Sequence, residues 1–302
     1  MPAYNCEKFV EKAIKSILDQ SYSNFELLIA DDCSTDGTKQ IIDSFTDQRI
    51  KRFHNDTNQG YLKASNLLFG KCQGEFITFQ DADDFSEPKR LEKLHEVLSK
   101  NAEIGCCYSN VFIIDENERV ERRTFYPNTY TEIYSGVTYK VVFCGAAIMI
   151  KKGVFEKVGH YDLYFDRLGN EDKQWFGRIL EFTKVICLDE PLYYYRMNQN
   201  SVSRTRSNIR AYISEDVAKQ YIVYYRKYKK DLLNDPSLRN ELKKYETERL
   251  AIYKMKNANL LRAFIIFISV VIRFKLSMEF VRESMSLIKY KAIASKKERI
   301  TV

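Results

Sequence analysis

Residues 74–84 read Gly-Glu-Phe-Ile-Thr-Phe-Gln-Asp-Ala-Asp-Asp. The run Glu75–Phe79 is short and mostly apolar, the pattern of a buried strand. Three carboxylates, Asp81, Asp83 and Asp84, follow at its carboxyl end, where open α/β sheets hold their ligands. Carboxylates this crowded raise one another's pKa. A divalent cation relieves that repulsion, and hard oxygen ligands suit magnesium or manganese. Such a cation takes one or two protein carboxylates and leaves its other positions to water and phosphates, so the spacing fits a metal that holds a diphosphate. The plain alternative for an isolated Asp-x-Asp is a solvated acidic turn.

On either side of this stretch, apolar runs alternate with helical periodicity. Val10, Ala13, Ile14, Ile17 and Leu18 share a helical face within residues 7–20. Phe25–Ala30 is a second strand-like run, closed by Asp31-Asp32. Ser34–Thr38 reads as a turn and helix start, with Ile41, Ile42 and Phe45 behind it. Helical patterns follow at 60–72 and after Pro88, where Leu91, Leu94, Val97 and Leu98 line one side. Strands are expected at 104–109 and 185–188, and residues 110–142 read as loops mixed with antiparallel strands. Asn170-Glu171-Asp172 precedes a helix whose buried face includes Trp175, Phe176, Ile179 and Leu180. Tyr193–Arg196 reads as the way out of the domain. The alternation predicts an α/β fold with a mostly parallel sheet and flanking helices.

The chain has 302 residues and is 45% apolar, enough for a sizeable core. Its net charge of +7 is uneven. Residues 1–204 hold 26 Lys+Arg against 31 Asp+Glu, whereas residues 205–302 hold 22 against 10, a net of +12. We therefore expect one domain over 1–204, which the resemblance described below implies is catalytic, and a basic helical extension over 205–302. Residues 1–20 carry Glu7, Lys8, Glu11, Lys12 and Lys15 and do not read as a signal peptide. Seven scattered cysteines without a Cys-x-x-Cys pair fit reduced thiols and a cytoplasmic protein. Three isolated histidines do not make a zinc site.

Several segments together resemble the family 2 glycosyltransferases, which have the GT-A nucleotide-sugar-binding fold. They are Met1–Asn5, Ala13–Tyr22, Phe25–Thr38, Asn58-Gln59-Gly60, Ala64-Ser65-Asn66, Gly74–Asp84, Glu156–Gly159, Asn170-Glu171-Asp172 and Tyr195-Arg196. They run in the family's order over residues 1–204. The resemblance implies an inverting, metal-dependent transfer of a hexosyl or N-acetylhexosaminyl group. The donor would be a nucleotide diphosphate sugar, a UDP-sugar by preference, and the acceptor a glycan or lipid-linked sugar of cell-surface polysaccharide synthesis. It implies Asp83 as main ligand of Mn²⁺ or Mg²⁺, Asp81 near the ribose or metal, and a lesser role for Asp84. Asp32 would accept from the uracil imide, Tyr4 would pack on the base, and Pro2 and Ala3 would line that pocket. Asp172 would be the catalytic base, with Glu171 supporting it or contacting the acceptor. The chemistry calls for such a base, because the acceptor hydroxyl must lose its proton as it attacks. Helix capping is the alternative role for Asp172. Asp31 and Asp36 read as structural, Trp175 as core, and Arg196 as either a phosphate contact or a surface ion pair.

Two departures stand out. The family carries several apolar strand residues before Pro-Ala-Tyr-Asn, so most of the first strand is expected to be absent here, the start being truncated or another segment taking its place. Many relatives have His two residues after the arginine of Tyr-Arg, where this chain has Asn198. Two rivals are a sugar nucleotidyltransferase and a degenerate glycan- or nucleotide-binding protein at a membrane surface. The first calls for a Gly-rich phosphate loop, and residues 1–20 hold no glycine. In the basic tail, Leu260–Ile272 is apolar but too short to cross a bilayer. Two readings fit it: a helix buried against protein, which its length favours, and a helix in the interface of an anionic membrane at the inner face of the cell. No nucleic-acid motif is present, so that partner is not expected.

Overall fold

The computed structural model describes residues 1–197, 209–273 and 276–300. It divides into two compact units, Met1–Arg206 and Ser207–Val302. The first unit is α/β. Strand β1 (Pro2–Ala3) is followed by helix α1 (Val10–Leu18), which buries Val10, Ala13, Ile14 and Ile17 as its spacing predicts. Strand β2 (Leu27–Asp31) is buried along its whole length, because both faces are covered: Leu27 and Ile29 pack in the cluster of α1, and Leu28 and Ala30 in that of Leu68. Helix α2 (Thr38–Ser44) leads to strand β3 (Ile50–His54), which the sequence reading did not anticipate. Its Ile-Lys-Arg-Phe-His run looks polar because it is the outer strand of the β1-β2-β3 sheet, with Lys51 and His54 exposed.

Helix α3 (Tyr61–Phe69) brings the chain to β4 (Phe76–Thr78), after which the acidic turn runs into β5 (Phe85–Ser86). Helix α4 (Arg90–Lys100) buries Leu91, Leu94 and Leu98. Strand β6 (Ile104–Ile114) is far longer than expected and pairs with β7 (Val120–Arg123). The short helix α5 (Tyr130–Gly136), β8 (Ile148–Lys151), helix α6 (Lys152–Val158), helix α7 (Glu171–Ile179) and β9 (Lys184–Arg196) complete the unit. The second sheet has the order β4-β8-β6-β9-β5 and is mixed: β6 and β9 are parallel, while β8 is antiparallel to both β4 and β6. The sheets are thus less uniformly parallel than the alternation predicts.

Tyr193–Arg196 do not lead out of the domain. They form the end of β9, paired with β6 on one edge and, through Tyr193 and Tyr194, with β5 on the other; Tyr193 and Arg196 are buried. The three-tyrosine run resembles an exit because its alternation is masked by large rings on both faces. Two residues of β1 do not join the sheets, and a cleft of about 640 Å³ is lined by Leu27 and Leu28 of β2 and by Ile77 and Thr78 of β4.

The second unit is helical: α8 (Ile209–Tyr228), α9 (Arg239–Lys256), α10 (Leu260–Arg273) and α11 (Met278–Ile300). Ala251, Ile252, Met255, Ala263 and Phe280 form its core, with Ile266, Phe267 and Val270 packed against them. Glu248 accepts from both the amide and the hydroxyl of Ser277 at 2.7 Å, which fixes the start of α11 against α9.

Candidate active site

The acidic turn is held from below by β9. The Asp81 amide donates to the Tyr193 hydroxyl at 3.1 Å, and the Asp84 carboxylate accepts the Arg196 amide at 2.7 Å. Arg196 Nε donates to the Asp83 carbonyl at 2.7 Å. Across the turn, the Tyr61 hydroxyl donates to Asp81 Oδ1 at 3.2 Å. Burial, reinforced by Asp83, pushes the Asp81 carboxyl up to about 7. Burial, Asp83 and Asp81 together hold Asp84 well above the usual carboxylate range, against hydrogen bonds from the Arg196 amide and Tyr193. A buried cation lies behind this cluster. Arg90 is fully buried and donates to the Thr78 hydroxyl and to the Phe79 and Ala146 carbonyls at 2.8–2.9 Å. Burial lowers its pKa, and Asp81 is among the groups that counter this.

The second set of acids comes from α7. The loop before it passes through left-handed backbone at Arg167, Gly169 and Asn170, and the helix then opens on Glu171 and Asp172. Asp172 Oδ1 accepts the Lys173 amide at 2.6 Å. The backbone of Gly145 approaches from the other side. A Cβ there would lie 3.2 Å from Asp172 Cβ and 3.3 Å from Oδ2, so only glycine leaves the carboxylate undisturbed. Burial raises the Asp172 pKa. Burial, then Asp172 and more weakly Asp81, pushes Glu171 up to about 8. Asp81, Glu171 and Asp172 act on one another and on the Tyr61 phenol, so two acid sets distant in sequence converge on one place.

The residues expected around the base lie at the ends of β1 and β2. The Asp32 amide donates to the Ala3 carbonyl at 2.8 Å, which brings Pro2, Ala3 and Tyr4 beside it. Tyr4 is 48% exposed, as a stacking ring must be. Asp32 itself is buried and largely engaged. Its carboxylate accepts from Asn55 Nδ2 at 2.7 Å, the Gln59 amide at 2.9 Å and the Gly60 amide at 2.7 Å. A carboxylate has about four acceptor sites, so little remains for a further donor. Gly60 sits at φ +91°, open to glycine alone, and this is what aims its amide at Asp32. Asp31 accepts from the Ser34 amide, and Asp36 from the Thr38 and Glu7 amides, both turn-forming roles.

Trp175 is core. It is buried among Phe79, Phe155 and Tyr161, and its indole N–H donates to the Gly159 carbonyl at 2.7 Å. Arg196 does form an ion pair, with the partly exposed Glu118 at 3.2 Å, but from a buried guanidinium rather than from the surface. Its buried guanidinium donates to the carbonyls of Asp83, Asp115 and Glu116 and to the Glu118 carboxylate, over the ring of Phe9. Arg196→Met should therefore lower unfolding free energy by about 2 kcal/mol, since it removes the charge-assisted hydrogen bonds of a buried guanidinium while its partly exposed acceptors can turn to water. Urea titration reads this directly. Asn198 lies outside the described residues.

Among the described residues, no group of three or more His, Cys, Asp or Glu is arranged to hold a metal by itself. The three crowded carboxylates of the acidic turn, with Asp81 and Asp84 raised in pKa, fit a cation that takes its remaining ligands from phosphate and water. The sequence reading passed over Tyr61, Tyr193 and Arg90. Tyr61 follows Asn58-Gln59-Gly60 directly, but nothing in one sequence ties a tyrosine there to Asp81.

Comparison with known proteins gives the family and the fold of the chain. The profile described as Glycosyl transferase family 2 matches residues 1–159. An uncharacterized glycosyltransferase of Haemophilus influenzae is 44% identical over 210 residues, covering 68% of this chain and 81% of that one. An Escherichia coli protein, the UDP-Glc:alpha-D-GlcNAc-diphosphoundecaprenol beta-1,3-glucosyltransferase WfgD, is 38% identical over 120 residues, covering 40% of this chain and 47% of that one. Among solved structures, S. aureus TarS 1-349 in complex with UDP-GlcNAc aligns with a TM-score of 0.62 at 16% identity, covering 99% of this chain and 90% of that one, a likeness of fold. The family profile spans the acidic turn and more than half of the residues, and the chain belongs to glycosyl transferase family 2.

Proposed function

We propose that this chain is an inverting, metal-dependent glycosyltransferase. It moves a sugar from a UDP-sugar to a hydroxyl of a glycan or lipid-linked acceptor in cell-surface polysaccharide synthesis, at the cytoplasmic face of the membrane. The observation that supports this most is the convergence of Asp81 with Glu171 and Asp172. A relative named for UDP-Glc and a diphosphoundecaprenol-linked acceptor, and a structural neighbour solved with UDP-GlcNAc, favour a uridine donor and a lipid-linked acceptor.

Asp83 and Asp81 would hold the cation, which when bound neutralises charge on the departing diphosphate. Asp172 is the base. The acceptor oxygen attacks the anomeric carbon from the face opposite the diphosphate, its proton passes to the Asp172 carboxylate, and the bond to the diphosphate breaks. Oδ1 is held by the Lys173 amide, which leaves Oδ2 for the proton. Burial raises the pKa of this carboxyl and so strengthens it as a base. Glu171 orders the acceptor, and Tyr4 and Asp32 flank the uracil.

Calorimetry with UDP and manganese tests the donor half. Wild type should bind, and Asp83→Asn should weaken binding by at least about 100-fold, beyond the usual cost of disturbing an outer-shell partner. Equal affinity in the two proteins would remove Asp83 from the site.

A further inference from the structure

Helix α10 carries apolar residues on two opposite faces. Ala263, Ile266, Phe267 and Val270 pack into the core of the second unit. Leu261, Phe264, Ile265, Ile268 and Val271 face outward and are 38–68% exposed. At 100° per residue the outward five fall within about 120° of the circumference, a continuous stripe rather than scattered side chains. One face would suffice to build the unit, so the second needs another explanation.

The charge around the stripe selects the occupant. No Asp or Glu occurs from residue 249 to residue 278, whereas six Lys or Arg do. Arg262 is exposed about 100° from the stripe's Leu261, on its flank. Lys254 and Lys256 at the end of α9 and Lys289 on α11 are exposed as well. A second copy would bring like charges together, which opposes self-association. At 14 residues, α10 is about 21 Å long, short of the roughly 30 Å hydrocarbon core. Among the described residues, no helix is long and apolar enough to cross a membrane.

We propose that α10 lies flat in the interface of an anionic lipid bilayer, with Leu261, Phe264, Ile265, Ile268 and Val271 inserted below the headgroups and the surrounding Lys and Arg set against lipid phosphates. This deepens the reading of a lipid-linked acceptor and draws its purpose from it, but not its physical basis.

The test is vesicle flotation of the full chain. Wild type should float with vesicles of phosphatidylglycerol and phosphatidylcholine, remain in solution with phosphatidylcholine alone, and detach as salt rises. Phe264→Glu with Ile265→Glu should lower partitioning at least about 10-fold, with melting temperature and UDP binding unchanged. Leu261→Asp, at the most exposed of the five positions, is the second variant should the double one melt early. Arg262→Gln should weaken binding by about 5-fold, the loss of about one basic contact. The proposal is overturned if wild type ignores anionic vesicles, if both apolar-face variants float like wild type, or if these variants convert a dimer to a monomer without lipid. Failure of the transferase reading would show instead as absent UDP binding with flotation intact.

Discussion

Asp172→Asn should lower kcat by about 10³-fold, within the range that a positioned proton acceptor contributes. The amide keeps the shape of the side chain, and its oxygen still accepts the Lys173 amide, so α7 begins as before. The close passage of Gly145 leaves no room for a larger group and demands none here. The substitution removes the lone pair that takes the proton and little else, so KM for the donor should hold within a few-fold. Glu171→Gln provides the contrast. If Glu171 orders the acceptor, the variant should raise acceptor KM and leave kcat within about 10-fold. Initial rates of nucleotide diphosphate release with acceptor varied separate the two. The pH profile gives a second reading: burial raises the Asp172 pKa, so wild-type activity falls on acidification from a higher pH than an exposed aspartate would give. A kcat for Asp172→Asn within 10-fold of wild type would reassign the base.

Much of this site can be read from sequence, for a physical reason. An acidic turn must follow directly on a buried strand, so residues 74–84 carry strand, turn and carboxylates in one uninterrupted stretch. The same holds for Leu27–Asp32, where a strand buried on both faces has to be an unbroken apolar run. What stays hidden depends on partners distant in the chain. β3 reads as polar because its role is to close an edge. Arg196 looks like a surface or phosphate residue until β9 is seen to run beneath the acidic turn, where its guanidinium ties Asp83 to Asp115 and Glu116. Arg90 looks like an ordinary helix residue after Pro88, yet it is a buried charge behind the carboxylates. Asp32 shows the opposite limit: its motif suggests a base contact, while most of its acceptor capacity goes to Asn55, Gln59 and Gly60. No periodicity records such pairings, because each joins side chains whose separation in sequence is set by topology.

The convergence of acids has a thermodynamic consequence that metal should reverse. Asp81 is raised to about 7 and Glu171 to about 8, with burial the first cause in each, and Asp84 and Asp172 are raised as well. In the unfolded chain these carboxyls ionise near pH 4. Between about pH 4 and pH 8 the native state therefore holds more protons than the unfolded one, and stability must fall as pH rises through that window. One extra proton retained over about two pH units corresponds to roughly 2.7 kcal/mol. For a chain of this size that is on the order of 5–10 °C in melting temperature. A divalent cation at Asp81 and Asp83 would displace the protons and supply the charge that the cluster lacks, so the stabilisation by manganese should be small near pH 5.5 and grow toward pH 8. Asp83→Asn should flatten both trends, because it removes a like charge and a ligand together. Melting scans in EDTA and in manganese at the two pH values would decide this. A metal-free protein equally stable at both, or a manganese effect independent of pH, would mean that the four carboxyls do not share one field and that the acidic turn is not where the cation binds.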